Sequence, residues 1–137
     1  MRNQKGLSLI ELLLFAALIG LLLVFGVLLV NNERAKTRDA VRIADMSRIQ
    51  FAFEAMFNGK NSYKEAAQGC AKVDSLVSAC SLSSYLPNIN KISDPGKYQY
   101  KITKVPDDEN FEVTFYLEKG FSALKAGKHT LSKTGIK

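Results

Sequence analysis

The sequence holds one histidine and two cysteines, a scarcity that narrows histidine- and thiol-based catalysis. His129 has no identifiable catalytic partner, and Ser132 nearby supplies neither the base nor the orienting third group that nucleophilic catalysis needs. A metal site built on the cysteines lacks further ligands, because His129 lies far along the chain. No glycine-rich loop ends in Lys-Ser or Lys-Thr, so an ATP-driven step would belong to another protein. Charge is also missing from residues 7–30, where Glu11 is the one ionisable side chain. That run cannot form a water-soluble surface. Setting it aside leaves about a hundred residues, enough for a modest core but not for a large enzyme cleft.

What is present starts with a basic leader, Met1-Arg2-Asn3-Gln4-Lys5-Gly6, followed directly by the apolar run. A lone carboxylate near the end of a membrane-spanning helix costs about 2.5 kcal/mol or more, so Glu11 should have a partner and a purpose. A cleaved secretory signal has an apolar core of about 7–15 residues before a small-residue cut site. This run is longer and ends in Asn31-Asn32-Glu33-Arg34. A plain signal anchor explains the length, since roughly 24 helical residues span about 36 Å, but it leaves Glu11 unexplained. A leader whose cut precedes the apolar stretch accounts for both.

The segment Gly6-Leu7-Ser8-Leu9-Ile10-Glu11 behind its short basic leader resembles the class III signal of type IV pilins and the related pseudopilins. The resemblance is specific over residues 1 to about 30. It implies that a membrane-embedded prepilin peptidase cuts between Gly6 and Leu7 and N-methylates Leu7. It also implies that Glu11 neutralises the N-terminal ammonium of a neighbouring subunit during assembly into a homo-oligomeric helical filament. A low-dielectric setting strengthens that attraction and penalises an unpaired Glu11. The pair would select register while apolar packing holds the helices together. An inner-membrane assembly platform and a motor ATPase would act in trans, with membrane lipid as the surroundings before assembly. Gly20 matches a helix-weakening position common in pilins, whereas Leu28 stands where many members carry proline. Gly20 and Gly26 each cost about 1 kcal/mol of helix propensity, and they serve equally as local unwinding points in a filament or as small residues for close helix packing.

Beyond the apolar run no proline interrupts residues 30–57. Met46, Ile49, Phe53 and Met56 recur at three- and four-residue spacing, while Asp45, Arg48 and Glu54 can face water. One continuous helix is predicted over residues 7–58, stopped by Asn58-Gly59 and about 78 Å long. Its apolar stripe is too short for a coiled coil and suits packing on a sheet. Asp39, Arg42, Asp45 and Arg48 read as spaced charge pairs on a solvated face. Residues 61–94 form the connector, with short helices within 64–67 and 73–82 and turns at Leu86-Pro87-Asn88 and Asp94-Pro95-Gly96. If the domain lies outside the cytoplasm, Cys70 and Cys80 are expected to bridge, stabilising a short loop by about 2.8 kcal/mol; two free thiols are the alternative. Tyr98, Tyr100 and Ile102 alternate with polar residues, as do Phe111, Val113, Phe115 and Leu117. They predict an antiparallel hairpin around 106–110, with a third short strand near 129–132 after turns at Gly120 and Gly127.

The expected fold is α+β: a long N-terminal helix, transmembrane and then amphipathic, packed on a small antiparallel sheet, as the pilin resemblance also implies. Its parts are a cleaved leader over 1–6, a transmembrane and assembly helix over 7–30, its amphipathic continuation over 31–58, and a connector and sheet domain over 59–137. Asp107, Asp108, Glu109 and Asn110 concentrate oxygen ligands that could take calcium, but without EF-hand spacing, so a polar hairpin turn is the simpler reading. Tyr98, Tyr100, Phe111, Phe115 and Tyr116, with Lys97, Lys101 and Lys104, invite a nucleic-acid proposal, yet alternating aromatics more often pack as core. The net charge of +6 is weak evidence for a DNA ligand, because basic residues also flank membrane helices. The expectation is a non-enzymatic, cofactor-free filament subunit, first in the cytoplasmic membrane with its C-terminal domain outside the cytoplasm, then in an extracellular pilus or periplasmic pseudopilus. A secretion pseudopilin, or a minor or competence pilin that binds DNA or a surface, is the alternative.

Overall fold

The computed structural model describes residues 8–137. One continuous α-helix, α1, runs Leu9–Lys60 and, among the described residues, carries the one stretch long and apolar enough to cross a membrane. The chain divides into two compact units, Met1–Arg34 and Ala35–Lys137.

In the first unit the helix is unbroken through Gly20 and Gly26, and among the described residues of that unit nothing beyond the helix's own turns lies within 4 Å of where a side chain would stand at either glycine. Leucine-rich sequence without proline favours that helix, and in lipid the backbone has no other way to satisfy its amides. Its apolar side chains are uncovered, from Leu9 at 80% exposed to Val30 at 50%.

The second unit is an α+β globule. Four strands, β1 (Lys101–Lys104), β2 (Glu112–Phe121), β3 (Leu124–Ser132) and β4 (Gly135–Ile136), form one antiparallel sheet in sequential order. Met46, Ile49, Phe53 and Met56 of α1 are buried against Ile102, Val113, Phe115, Leu117 and Leu131 of the sheet. The predicted stripe is thus core. Phe53 stacks on Phe111 at 3.8 Å between centroids, and Tyr63 closes the cluster edge-on to both. Such burial, at roughly 25 cal/mol per Å² of apolar surface, is the main force holding helix to sheet.

Several boundaries differ from the sequence reading. The helix passes Asn58-Gly59 and stops at Lys60, where Asn61 takes the left-handed conformation (φ 52) and donates its N–H to Phe57 O at 2.7 Å. Asparagine tolerates that conformation, so the cap falls three residues later than Asn58. Gly120 and Gly127 do not make turns. Both lie inside strands at positive φ (100 and 129), and the hairpin turn is at Ser122, φ 53, between the paired Phe121 and Leu124. At Gly120 any side chain would run into the Leu124 carbonyl. β3 is therefore longer than expected, and β4 adds a short edge that alternation did not reveal. In the connector, short 3-10 helices at Lys64–Gln68 and Val77–Ala79 fall where short helices were expected, and Ile89–Lys91 adds a third. Residues 74–77 lie along the outer edge of β1: Asp74 N–H donates to Ile102 O (2.8 Å), Ile102 N–H to Ser75 O (2.8 Å) and Val77 N–H to Tyr100 O (3.0 Å). An edge strand needs such partners when it is covered, and the connector supplies them.

Candidate functional site

The candidate residues fall into three groupings, the first at the helix start. Ser8 opens α1, its carbonyl accepting the first helical N–H from Leu12 at 3.1 Å. Glu11, three residues on, accepts the Ser8 N–H through Oε2 at 2.9 Å. This is half of a capping box, in which a carboxylate at the third helical position satisfies an amide left over at the helix start. Gly6 and Leu7, the expected processing pair, lie outside the described residues. The carboxylate thus stands at the end of an apolar, uncovered helix, within reach of backbone N–H near the chain start.

The second grouping overturns a reading made above. Asp39 and Arg42 are fully buried rather than on a solvated face, and Asp45 is nearly so; of the four spaced charges only Arg48 is well exposed. Arg42 forks onto Asp94, Nε to Oδ2 at 2.6 Å and Nη2 to Oδ1 at 2.9 Å, and its Nη1 donates to both Asp39 Oδ1 and Glu118 Oε1 at 2.8 Å. Arg38 holds Glu118 from the other side through two bonds of 2.8 and 2.7 Å. Asp39 also accepts the backbone N–H groups of Glu118, Lys119 and Gly120 at 2.7–3.0 Å. Asp45 accepts the Tyr100 hydroxyl at 3.1 Å.

The electrostatic consequences follow from these contacts. The Arg38 hydrogen bond pulls the Glu118 carboxyl down to about 2, with burial opposing and Arg42 assisting. Burial tends to raise Asp39, but the three amides and Arg42 together hold it below its ordinary value. Burial raises Asp45, which the Tyr100 hydroxyl and Arg48 only partly offset. Buried charges persist only where paired and hydrogen-bonded; here the cluster joins α1, the Asp94 turn and the end of β2. Asp94 and Glu118 carried no sequence signal for this role, because their partner on the helix lies 52 and 76 residues away.

The third grouping is the aromatic set, which the fold divides. Tyr100, Phe111 and Phe115 are core. Tyr98 and Tyr116 instead stack at 5.1 Å, Tyr116 being exposed, with Lys97 Nζ 5.5 Å from the centre of the Tyr98 ring. Lys104 is directed elsewhere, 3.9 Å from Asp107.

The remaining candidates serve local structure. Cys70 and Cys80 form a disulfide with Cα atoms 4.8 Å apart, both buried. Asp107 Oδ1 accepts the N–H groups of Glu109 (2.8 Å) and Asn110 (2.7 Å), and Asp108 accepts the Ser62 hydroxyl at 2.8 Å. Among the described residues no three His, Cys, Asp or Glu side chains converge on a metal position. The His129 ring nitrogens lie 2.7 Å from Lys125 O and 3.2 Å from Lys137 O, whereas Ser132 bonds within its own turn.

Residues 1–27 match the family model described as the prokaryotic N-terminal methylation motif, the class III prepilin signal of type IV pilins and pseudopilins. No curated protein and no solved structure matches the chain. The chain combines that signal with a pilin-like arrangement, a long N-terminal helix backed by a four-stranded antiparallel sheet. The signal implies processing by prepilin peptidase and filament assembly in general. With the apolar helix it fits membrane anchoring with the C-terminal domain outside.

Proposed function

We propose that the chain is a structural, non-enzymatic subunit of a type IV pilus or pilus-like filament, cut between Gly6 and Leu7 and methylated on Leu7. The observation that carries this reading is the position of Glu11: within the matched segment, in the first turn of a helix whose apolar side chains are exposed among the described residues. Such a helix must be surrounded by lipid or by other copies of itself. Lipid offers the carboxylate no counter-charge, whereas an adjoining copy, after cleavage, offers the new ammonium of its Leu7. Moving from the first environment to the second removes the cost of an unpaired buried charge and fixes the stagger between subunits.

Glu11→Ala tests this. Leader removal and membrane insertion are expected to proceed as before, while filaments recovered by shearing fall sharply at equal subunit abundance. Undiminished filaments would remove Glu11 from assembly. Mass spectrometry of sheared fibres should find methylated Leu7 as the first residue; a retained Met1 would contradict processing. A secretion pseudopilin shares every one of these features, and loss of protein export on deletion, without loss of surface fibres, would assign the chain to that branch.

A further inference from the structure

We propose that the outer face of the sheet carries a binding trough for an acidic oligosaccharide. The trough is open, of about 530 Å³, within the size range of small-ligand sites. Its floor is Thr103 of β1 and Thr114 of β2, whose hydroxyls bond each other at 3.2 Å. The strand register sets Lys101 beside Thr114 and Lys128 beside Tyr116, and the loop before β1 adds Lys97 and Tyr98.

The polar heads around this trough have not been consumed by the fold. Among the described residues none of Lys97, Lys101 and Lys128 forms an ion pair, although the chain pairs Lys60 with Glu65 and Lys104 with Asp107. Asp74 is the single acid on the rim. Three ammoniums against one carboxylate favour an anionic ligand; lysine is a point charge that pairs with carboxylate or phosphate alike, so the charges set the sign of the ligand and the rings and hydroxyls set its kind.

The aromatic geometry then separates two anionic polymers. Nucleic-acid platforms stack successive bases on successive exposed rings. Here Tyr98 is already stacked by Tyr116, and its ring also has the Arg42 guanidinium at 5.3 Å and Lys97 at 5.5 Å. Only Tyr116 keeps an exposed ring, which fits one apolar sugar face rather than a run of bases. The phenol groups of Tyr98 and Tyr116 and the Gln99 amide, none with a hydrogen-bond partner among the described residues, match a ligand dense in hydroxyls. A single chain holds the whole trough, so the proposal stands apart from filament assembly. Repetition along a fibre would multiply its avidity.

The test uses the full-length protein in a polyoxyethylene detergent, which contains no sugar, titrated with tetragalacturonate, its methyl ester and a short oligothymidylate. Tetragalacturonate is expected to bind at low salt, and the uncharged ester about ten-fold or more weakly. Lys101→Gln with Lys128→Gln, and separately Tyr116→Ala, should each weaken binding about ten-fold, whereas Lys91→Gln, away from the trough, should not. All these positions are partly or fully exposed, so circular dichroism of the variants should match the parent; the ester comparison decides the matter without any variant. Equal binding of acid and ester, binding indifferent to the lysine pair, no binding at millimolar tetragalacturonate, or tighter binding of oligothymidylate would each overturn the proposal.

Discussion

Arg42 is the residue on which the helix and sheet of the second unit depend most. Its guanidinium is fully buried and bonded to three carboxylates, so Arg42→Met leaves Asp39 and Asp94 charged, enclosed and without their cation. Removing one partner from a buried ionic cluster typically costs about 3–5 kcal/mol, and chemical denaturation of the variant should read a loss of that size. Glu118 makes the same cluster sensitive to acid. Its folded-state carboxyl lies near 2, below its ordinary 4.5, so its stabilisation is complete above that ordinary value and disappears as pH falls toward 2. Asp45 is raised by burial and acts in the opposite sense, which makes the whole-protein slope a mixture. Comparison with Glu118→Gln isolates the part due to this carboxylate: the difference in melting temperature between parent and variant should be largest near neutrality and shrink steadily below about pH 4.5. The sequence could not have revealed this cluster. Asp39, Arg42, Asp45 and Arg48 have the spacing of a solvated charge ladder, and spacing carries no information about partners arriving from distant turns.

At the scale of elements, periodicity was legible wherever it was long. The three- and four-residue recurrence of Met46, Ile49, Phe53 and Met56 marked the buried side of α1, and alternation from Phe111 to Leu117 marked the core side of β2. Short or backbone-driven features were not legible. Residues 74–77 pair with β1 and with Tyr100 just before it through main-chain groups that every residue has, and β4 is only two residues long. The connector adds Tyr63, Val77, Leu82 and Ile89 to the core, and the Cys70–Cys80 bridge closes it so tightly that Gly69 lies against the Ala79 carbonyl with no room for a side chain. Replacing both cysteines with serine should lower stability by roughly 2–3 kcal/mol, in keeping with loss of a short-loop disulfide. The comparison should be made under non-reducing conditions, since adding reductant to the parent should reproduce the loss.

At the scale of the whole molecule, the N-terminal signal was legible because it lies in a handful of consecutive residues. The trough was not, because its lysines come from a loop, β1 and β3 and meet only through strand register. A different surface would bear on the proposed assembly. On the side of α1 turned away from the sheet, Val41 and Phe51 are 41% and 68% exposed. A bare phenylalanine on a helix is an economical contact for a second copy, and filament growth would bury it. Phe51→Ser should leave the stability of the isolated protein within about 0.5 kcal/mol while reducing the yield of sheared fibres. Equal yields would mean that the side chain stays in solvent after assembly.

The grip of Asp39 on the end of β2 falls on main-chain amides rather than on side chains. It therefore recognises the path of the strand and is indifferent to most of its letters. Lys119, exposed and held only through its N–H, can drift to almost any residue except proline, which has no hydrogen to give. Gly120, one step along, has no such freedom. Neighbouring positions in one clamp thus evolve under opposite rules.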